Sequence, residues 1–190
     1  MNRYRIAIFA SGEGSNAENI TNYFKGDDAI NVVLIVSNRA DVGVIRRAKK
    51  LKVPYLISSR DKLNSIKFLK LLEQENIDII ILAGFILKIP IHLITAFAHR
   101  IINIHPALLP KYGGKGMYGN KIHKAVLLNK EKESGITIHL VNEHYDEGKI
   151  LFQKSCEVMP DDDISDLAHR IHQLEYRFFP KIIEDYINSI

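Results

Sequence analysis

The chain has 190 residues, 46% of them hydrophobic and 25% charged, with a formal net charge of +4. That is long enough to bury one sizeable core and too short for two comfortable domains. The positive charge is modest and spread over helical stretches such as Arg46-Arg47-Ala48-Lys49-Lys50 without interleaved aromatics, which argues against nucleic acid and suits a small anionic substrate. A lone cysteine, Cys156, excludes a disulfide framework and zinc-type spacing, and no apolar run reaches the length of a membrane span.

From the N-terminus, Arg3-Tyr4-Arg5 leads into a short apolar run that stops at Ser11-Gly12. It is too short for a secretion signal, so a cytoplasmic location is expected. That run, 6–10, reads as a strand. Ser11-Gly12-Glu13-Gly14-Ser15-Asn16 follows directly and opens a helix over 17–24. Glycines there let the backbone come close to a ligand, and the N–H groups of a helix start point at an anion, so the turn is a candidate phosphate cradle; Ser15 and Asn16 add donors or simply cap the helix. The same turn fits a dinucleotide fingerprint through Gly12, Gly14 and Ala17. The second strand, 32–36, ends at Ser37-Asn38-Arg39 with no acid for a ribose hydroxyl, leaving only a phosphate-bearing dinucleotide on Arg39.

Helices over 44–51, 62–75 and 91–98 alternate with strands over 55–57, 77–82 and 101–104. Near-continuous apolar strands separated by helices predict an α/β fold, a doubly wound and mostly parallel sheet. The last of these strands runs into Asn103-Ile104-His105-Pro106. Residues two apart share a strand face, so an amide and an imidazole stand side by side, a donor next to a proton carrier.

After Pro110 comes a glycine-dense loop over 112–119, a short helix over 121–128 and two alternating stretches, 135–141 and 150–158, that read as an antiparallel hairpin. The turn between them holds Asp146-Glu147-Gly148. A carboxylate brought from there to His105 raises the histidine pKa and favours its charged form. His139 is placed to line the same site, His144 to sit on the turn surface, and His92, His99 and His169 to be structural or exposed. Cys156 reads as a packed thiol. The chain closes with a helix from 164 to about 187, capped by Asp162 or Asp163, which Pro180 is expected to kink or divide.

The Ser-Gly-x-Gly-Ser-Asn turn, Ala83-Gly84-Phe85, Asn103 to Pro110 and Asp146, in this order, resemble the folate-dependent phosphoribosylglycinamide formyltransferase family along essentially the whole chain. The resemblance implies a formyltransferase fold in a single domain over 1–190, with 1–100 as the phosphate-binding half and 101–190 as the catalytic and folate-binding half. It implies transfer of the formyl group of 10-formyltetrahydrofolate to the amine of 5-phosphoribosylglycinamide in purine (IMP) biosynthesis, without a metal, in a monomer or homodimer. Asn103, His105 and Asp146 become the catalytic triad, with protonated His105 and Asn103 on the oxyanion and Asp146 relaying a proton through water. Gly14, Ser15 and Asn16 fall to the substrate phosphate and Glu175 to its ribose. Arg60, Ile86, Leu87, Lys88, Ile89, Asn142 and Tyr145 fall to the folate, together with Asn103 and Asp146.

Ala107 replaces the family's usual Ser, Leu87-Lys88 its common Arg, and Glu147 its small residue after the aspartate. Methionyl-tRNA formyltransferase and formyltetrahydrofolate deformylase share the Asn-x-His and Asp chemistry but carry extra domains. A nucleotide-binding module without catalysis has no need of the amide, imidazole and acid together.

Overall fold

The computed structural model describes residues 3–190. In chain order the elements are β1 (Tyr4–Phe9), α1 (Ser15–Tyr23), β2 (Ile30–Ser37), α2 (Gly43–Leu51), β3 (Tyr55–Ile57), α3 (Arg60–Leu63), α4 (Ile66–Gln74), β4 (Ile79–Leu82), α5 (Ile91–Ala96), β5 (Ile101–His105), α6 (Asn120–Leu128), β6 (Glu133–Leu140), β7 (Ile150–Glu157) and α7 (Ile164–Ile187). The strands form a seven-stranded sheet in the order β3-β2-β1-β4-β5-β6-β7, the α/β architecture expected from the alternation of patterns. β1 pairs in parallel with β2 and β4, β2 in parallel with β3, and β6 antiparallel with β7. Contacts divide the chain into two compact units, the first ending at Ile102 and the second running Asn103–Ile190.

In the first unit, Ile6 to Phe9 and Ile79 to Leu82 are buried throughout, as strands covered on both faces must be. The single helix expected over 62–75 is instead α3 and α4. Ser59 caps the first and Ser65 the second, each side-chain oxygen accepting a backbone N–H three residues on (3.3 Å in both). A serine that satisfies a helix start in this way competes with continuing the helix before it. The strand expected from 77 begins at Ile79. Ile77 N–H and Asn76 N–H are spent on Leu72 O and Glu73 O (3.0 and 2.9 Å), closing α4 in a Schellman turn with Asn76 at φ 49°. α2 closes the same way on Lys52 (φ 58°), and in the second unit α6 closes on Lys130 (φ 51°).

In the second unit, β6 is buried from Ser134 to Leu140, and its register with β7 slips between Ile138 and His139. α7 starts with a capping box between Asp163 and Asp166, while Asp162 pairs with Arg170 instead. Its buried stripe of Leu167, Ile171, Glu175, Phe179, Ile183 and Ile187 repeats every four residues. Pro180 does not divide the helix: α7 runs 24 residues through it. The stripe buries apolar area on both sides of the proline, which outweighs one lost backbone bond. No helix among the described residues is long and apolar enough to cross a membrane.

Candidate active site

β5 places Asn103 and His105 on one strand face, and the chain leaves it through a loop pinned to the hairpin. Thr137 Oγ1 donates to Ala107 O (2.6 Å) and accepts from Leu109 N–H (3.0 Å). Gln153 Nε2 donates to Leu109 O and to Thr137 Oγ1, both at 2.9 Å. These bonds hold the stretch that leads to Tyr112.

His105 is buried, 4% exposed. Its Nε2 lies 2.8 Å from the Tyr112 carbonyl, which only accepts, so Nε2 carries the hydrogen. Nδ1 then faces Asp146 Oδ2 at 3.6 Å. Asp146 sits in the β6–β7 connection at φ 58°, a left-handed backbone rare outside glycine, and its Oδ2 accepts from Gly114 N–H at 2.8 Å. Its Oδ1 is 3.6 Å from Nε2 of His139. His139 is buried at the register slip, its Nδ1 donating to Leu140 O (2.8 Å), which leaves Nε2 to accept from Asn103 Nδ2 at 3.0 Å. Asn103, His139, Asp146 and His105 therefore form one continuous polar chain inside the second unit.

Burial holds His105 below its ordinary pKa. Asp146 and the Tyr112 carbonyl push it up, but they do not overcome that burial, and His139 adds to the lowering. The carboxylate raises the pKa as expected, but the depth of the ring, which the sequence does not supply, outweighs that rise. For Asp146 burial works upward, yet His139, His105 and the Gly114 N–H together hold the carboxyl below its usual value. At neutral pH the site is a carboxylate facing the lone pair of a neutral imidazole. Two acceptors 3.6 Å apart form a receptor for a proton delivered by a reacting group.

Nearby, Asn142 Oδ1 accepts from His144 N–H (3.0 Å) and shapes the loop that carries Asp146, while Tyr145 and His144 are exposed and Asn142 half-buried. Gly148 closes this loop so tightly that a Cβ there would collide with Leu140 O. Glu175 is buried on α7, the one acid in its apolar stripe. Burial pushes the Cys156 thiol up, as suits a packed rather than a reactive group.

The first unit builds the candidate cradle. Buried Ser11 ties two turns together, its N–H donating to Gly84 O (3.1 Å) and its Oγ accepting from Ile86 N–H (3.0 Å). Gly14 is the N-cap of α1 at φ 73°, and a Cβ there would lie 2.5 Å from Val44. Among the described residues no side chain caps α1, so Ser15 and Asn16 do not act as caps. α2 backs the loop: Val44 N–H donates to Gly12 O (3.1 Å), and Arg47 donates from Nε to Glu13 O (2.9 Å) and pairs with Glu18. Ile86 and Lys88 are exposed, Leu87 half-buried and Ile89 buried, and Arg60 is exposed at the first position of α3. Tyr112 and Gly114 escape sequence reasoning because they act through backbone atoms, which carry no residue-type signature.

The sequence model of the family described as formyl transferase matches residues 4–183. A chloroplastic phosphoribosylglycinamide formyltransferase of Arabidopsis thaliana is 40% identical over 189 residues, covering 95% of this chain and 64% of that protein, so the chain spans under two thirds of its length. The phosphoribosylglycinamide formyltransferase of Haemophilus influenzae is 31% identical over 186 residues, covering 95% of this chain and 85% of that protein. A crystal structure of glycinamide ribonucleotide transformylase 1 from Geobacillus kaustophilus matches with a TM-score of 0.86 at 33% identity, covering 95% of this chain and 97% of that one.

Proposed function

The chain belongs to the formyl transferase family, and from that premise we propose that it moves the formyl group of 10-formyltetrahydrofolate to the amine of 5-phosphoribosylglycinamide, a step of purine (IMP) biosynthesis. The observation that carries the reading is the imidazole of His105 facing the carboxylate of Asp146 at 3.6 Å, with Asn103 joined to them through His139.

The amine attacks the formyl carbon, forming a C–N bond and an oxyanion. One amine proton passes to His105 Nδ1, where Asp146 stabilises the imidazolium. That imidazolium and the Asn103 amide stabilise the oxyanion, and the same proton goes to folate N10 as its bond to the formyl carbon breaks. The protons balance: the acceptor amine loses one and N10 gains one. His105 thus begins neutral and becomes charged during the reaction, rather than starting as a cation.

In this reading Gly14, Ser15 and Asn16 hold the substrate phosphate, supported by the uncapped start of α1. Glu175 takes the ribose. Arg60, Ile86, Leu87, Lys88, Ile89, Asn142 and Tyr145, with Asn103 and Asp146, take the folate. The lone cysteine fits a reducing compartment such as the cytoplasm.

The test follows the absorbance of 10-formyltetrahydrofolate with and without glycinamide ribonucleotide. Product is expected only with that acceptor, and charged initiator tRNA is not expected to replace it. Formate released at the same rate with no acceptor would make the chain a deformylase and remove the substrate roles given to Gly14, Ser15, Asn16 and Glu175.

A further inference from the structure

We propose that Tyr112, Gly113 and Gly114 form a clip that positions His105 and Asp146 together, and that the clip is anchored by the Tyr112 phenol on Glu131 and Asn129, just beyond the end of α6; this rests on reading His105 and Asp146 as the reacting pair. The carbonyl of Tyr112 accepts from the Nε2–H of His105 at 2.8 Å, and two residues on the N–H of Gly114 donates to Oδ2 of Asp146, also at 2.8 Å. One three-residue stretch therefore presents an acceptor to the imidazole and a donor to the carboxylate.

Its backbone is bent to do so. Tyr112 has φ 58° and Gly114 φ 96°. The left-handed region costs a tyrosine on the order of 1 kcal/mol, so the surroundings must hold it there. Gly113 leaves no slack: a Cβ on it would lie 2.6 Å from Leu109 Cδ2 and 3.4 Å from Asp146 Cβ. The restraint on Tyr112 comes from the other end of its side chain. The phenol donates to Glu131 Oε1 (2.9 Å) and accepts from Asn129 Nδ2 (2.9 Å), while Lys111 Nζ reaches both Glu131 oxygens at 3.0 and 3.2 Å.

The clip decides which ring nitrogen of His105 is protonated. With Nε2–H committed to Tyr112, the lone pair at Nδ1 faces Asp146, where the amine's proton is to arrive. With the carbonyl displaced, the ring would favour the other tautomer, donating Nδ1–H to Asp146 and leaving nothing there to accept a proton. The groups facing His105 are Asp146 from the β6–β7 connection, His139 from β6 and the Tyr112 carbonyl; Glu131, Asn129 and Lys111 act through Tyr112. Tyr112 is accordingly a positioning residue.

The experiment is ring nitrogen-15 NMR of His105 in the intact chain, paired with steady-state kinetics. The unsubstituted protein is expected to report the Nε2–H tautomer. Tyr112→Phe and, independently, Asn129→Ala combined with Glu131→Ala are expected to bring in the Nδ1–H form. Each should lower kcat for formyl transfer by roughly five- to tenfold, the scale of one anchoring hydrogen bond, with KM unchanged. Glu131→Gln keeps an acceptor for the phenol and should restore most of the rate. An unchanged His105 spectrum in both variants, or an effect confined to KM, overturns the proposal. If the tautomer shifts although the unsubstituted protein transfers no formyl group to glycinamide ribonucleotide, the clip stands and the functional reading falls; if transfer occurs and the spectrum does not move, the clip alone falls.

Discussion

His105 and Asp146 are both held below their ordinary pKa values, for different reasons. Burial dominates for the imidazole, while for the carboxylate the pull of His139, His105 and the Gly114 N–H overcomes burial. Activity should therefore persist below pH 6.5 and fall only as His105 takes up a proton beneath that ordinary value. Replacing Asp146 by Asn removes a raising influence, so the His105 pKa should drop further and the acid limb of kcat/KM should move to lower pH. A limb that moves upward would break the pairing. His105→Ala and Asp146→Asn should each lower kcat by at least roughly a hundredfold, with much smaller effects on ligand affinity, the scale of losing a general acid–base group. Asn103 and His105 were legible as a pair from their spacing, and Asp146 joined them only through the resemblance to the formyltransferase family; the structure brings the three into one polar chain. The direction of the His105 shift was not legible, since depth in a fold is set by partners far along the chain.

At the scale of elements, the register of β6 with β7 slips between Ile138 and His139, the residue that meets both Asn103 and Asp146. The connection that follows depends on Gly148. Gly148→Ala would force a Cβ against Leu140 O and should destabilise the protein by about 1–3 kcal/mol, as overpacking does, while moving Asp146. A urea melt and the His105 tautomer together check this, and unchanged values for both would contradict it. Asp163→Ala removes the cap of α7 and should cost about 1 kcal/mol in the same melt. Alternation of apolar and polar residues revealed the hairpin, and the acidic cap at Asp162 or Asp163 revealed the start of α7. The passage through Pro180 was hidden because local chemistry and tertiary burial pull in opposite directions there and sequence shows only the first, whereas the break at Ser65 is a local cap masked by the helical spacing of apolar residues on both sides of it.

At the scale of the whole molecule, pH dependence of stability has a definite sign. His123 is buried on α6, its Nδ1 without a hydrogen-bond partner, and its pKa is lowered to about 4 by burial and then by His172. The folded state disfavours the protonated ring, so the stabilisation is complete above the unfolded value near 6.5 and is lost as pH falls toward 4. At about 1.4 kcal/mol per unit the loss is on the order of 3 kcal/mol, and His105 adds to it in the same direction. Urea melts between pH 7 and 4 should show this decline, and His123→Leu should flatten it; an equally steep decline in that variant would remove His123 as the cause.

The helix ends at Lys52 and Lys130 offer a means of enduring such losses. Both lysines occupy the left-handed position that glycine takes without steric cost. Lys52→Gly and Lys130→Gly should each return about 0.5–1 kcal/mol and raise Tm by about 1–4 °C, and a fall in Tm for either would show that the lysine is held there by something stronger than its backbone strain. Neither lysine belongs to the polar chain or to the cradle. Combined, they would make a reinforced background in which harsh replacements at His105, Asp146 or Gly148 can be compared as folded proteins, so that a lost rate is not mistaken for a lost fold.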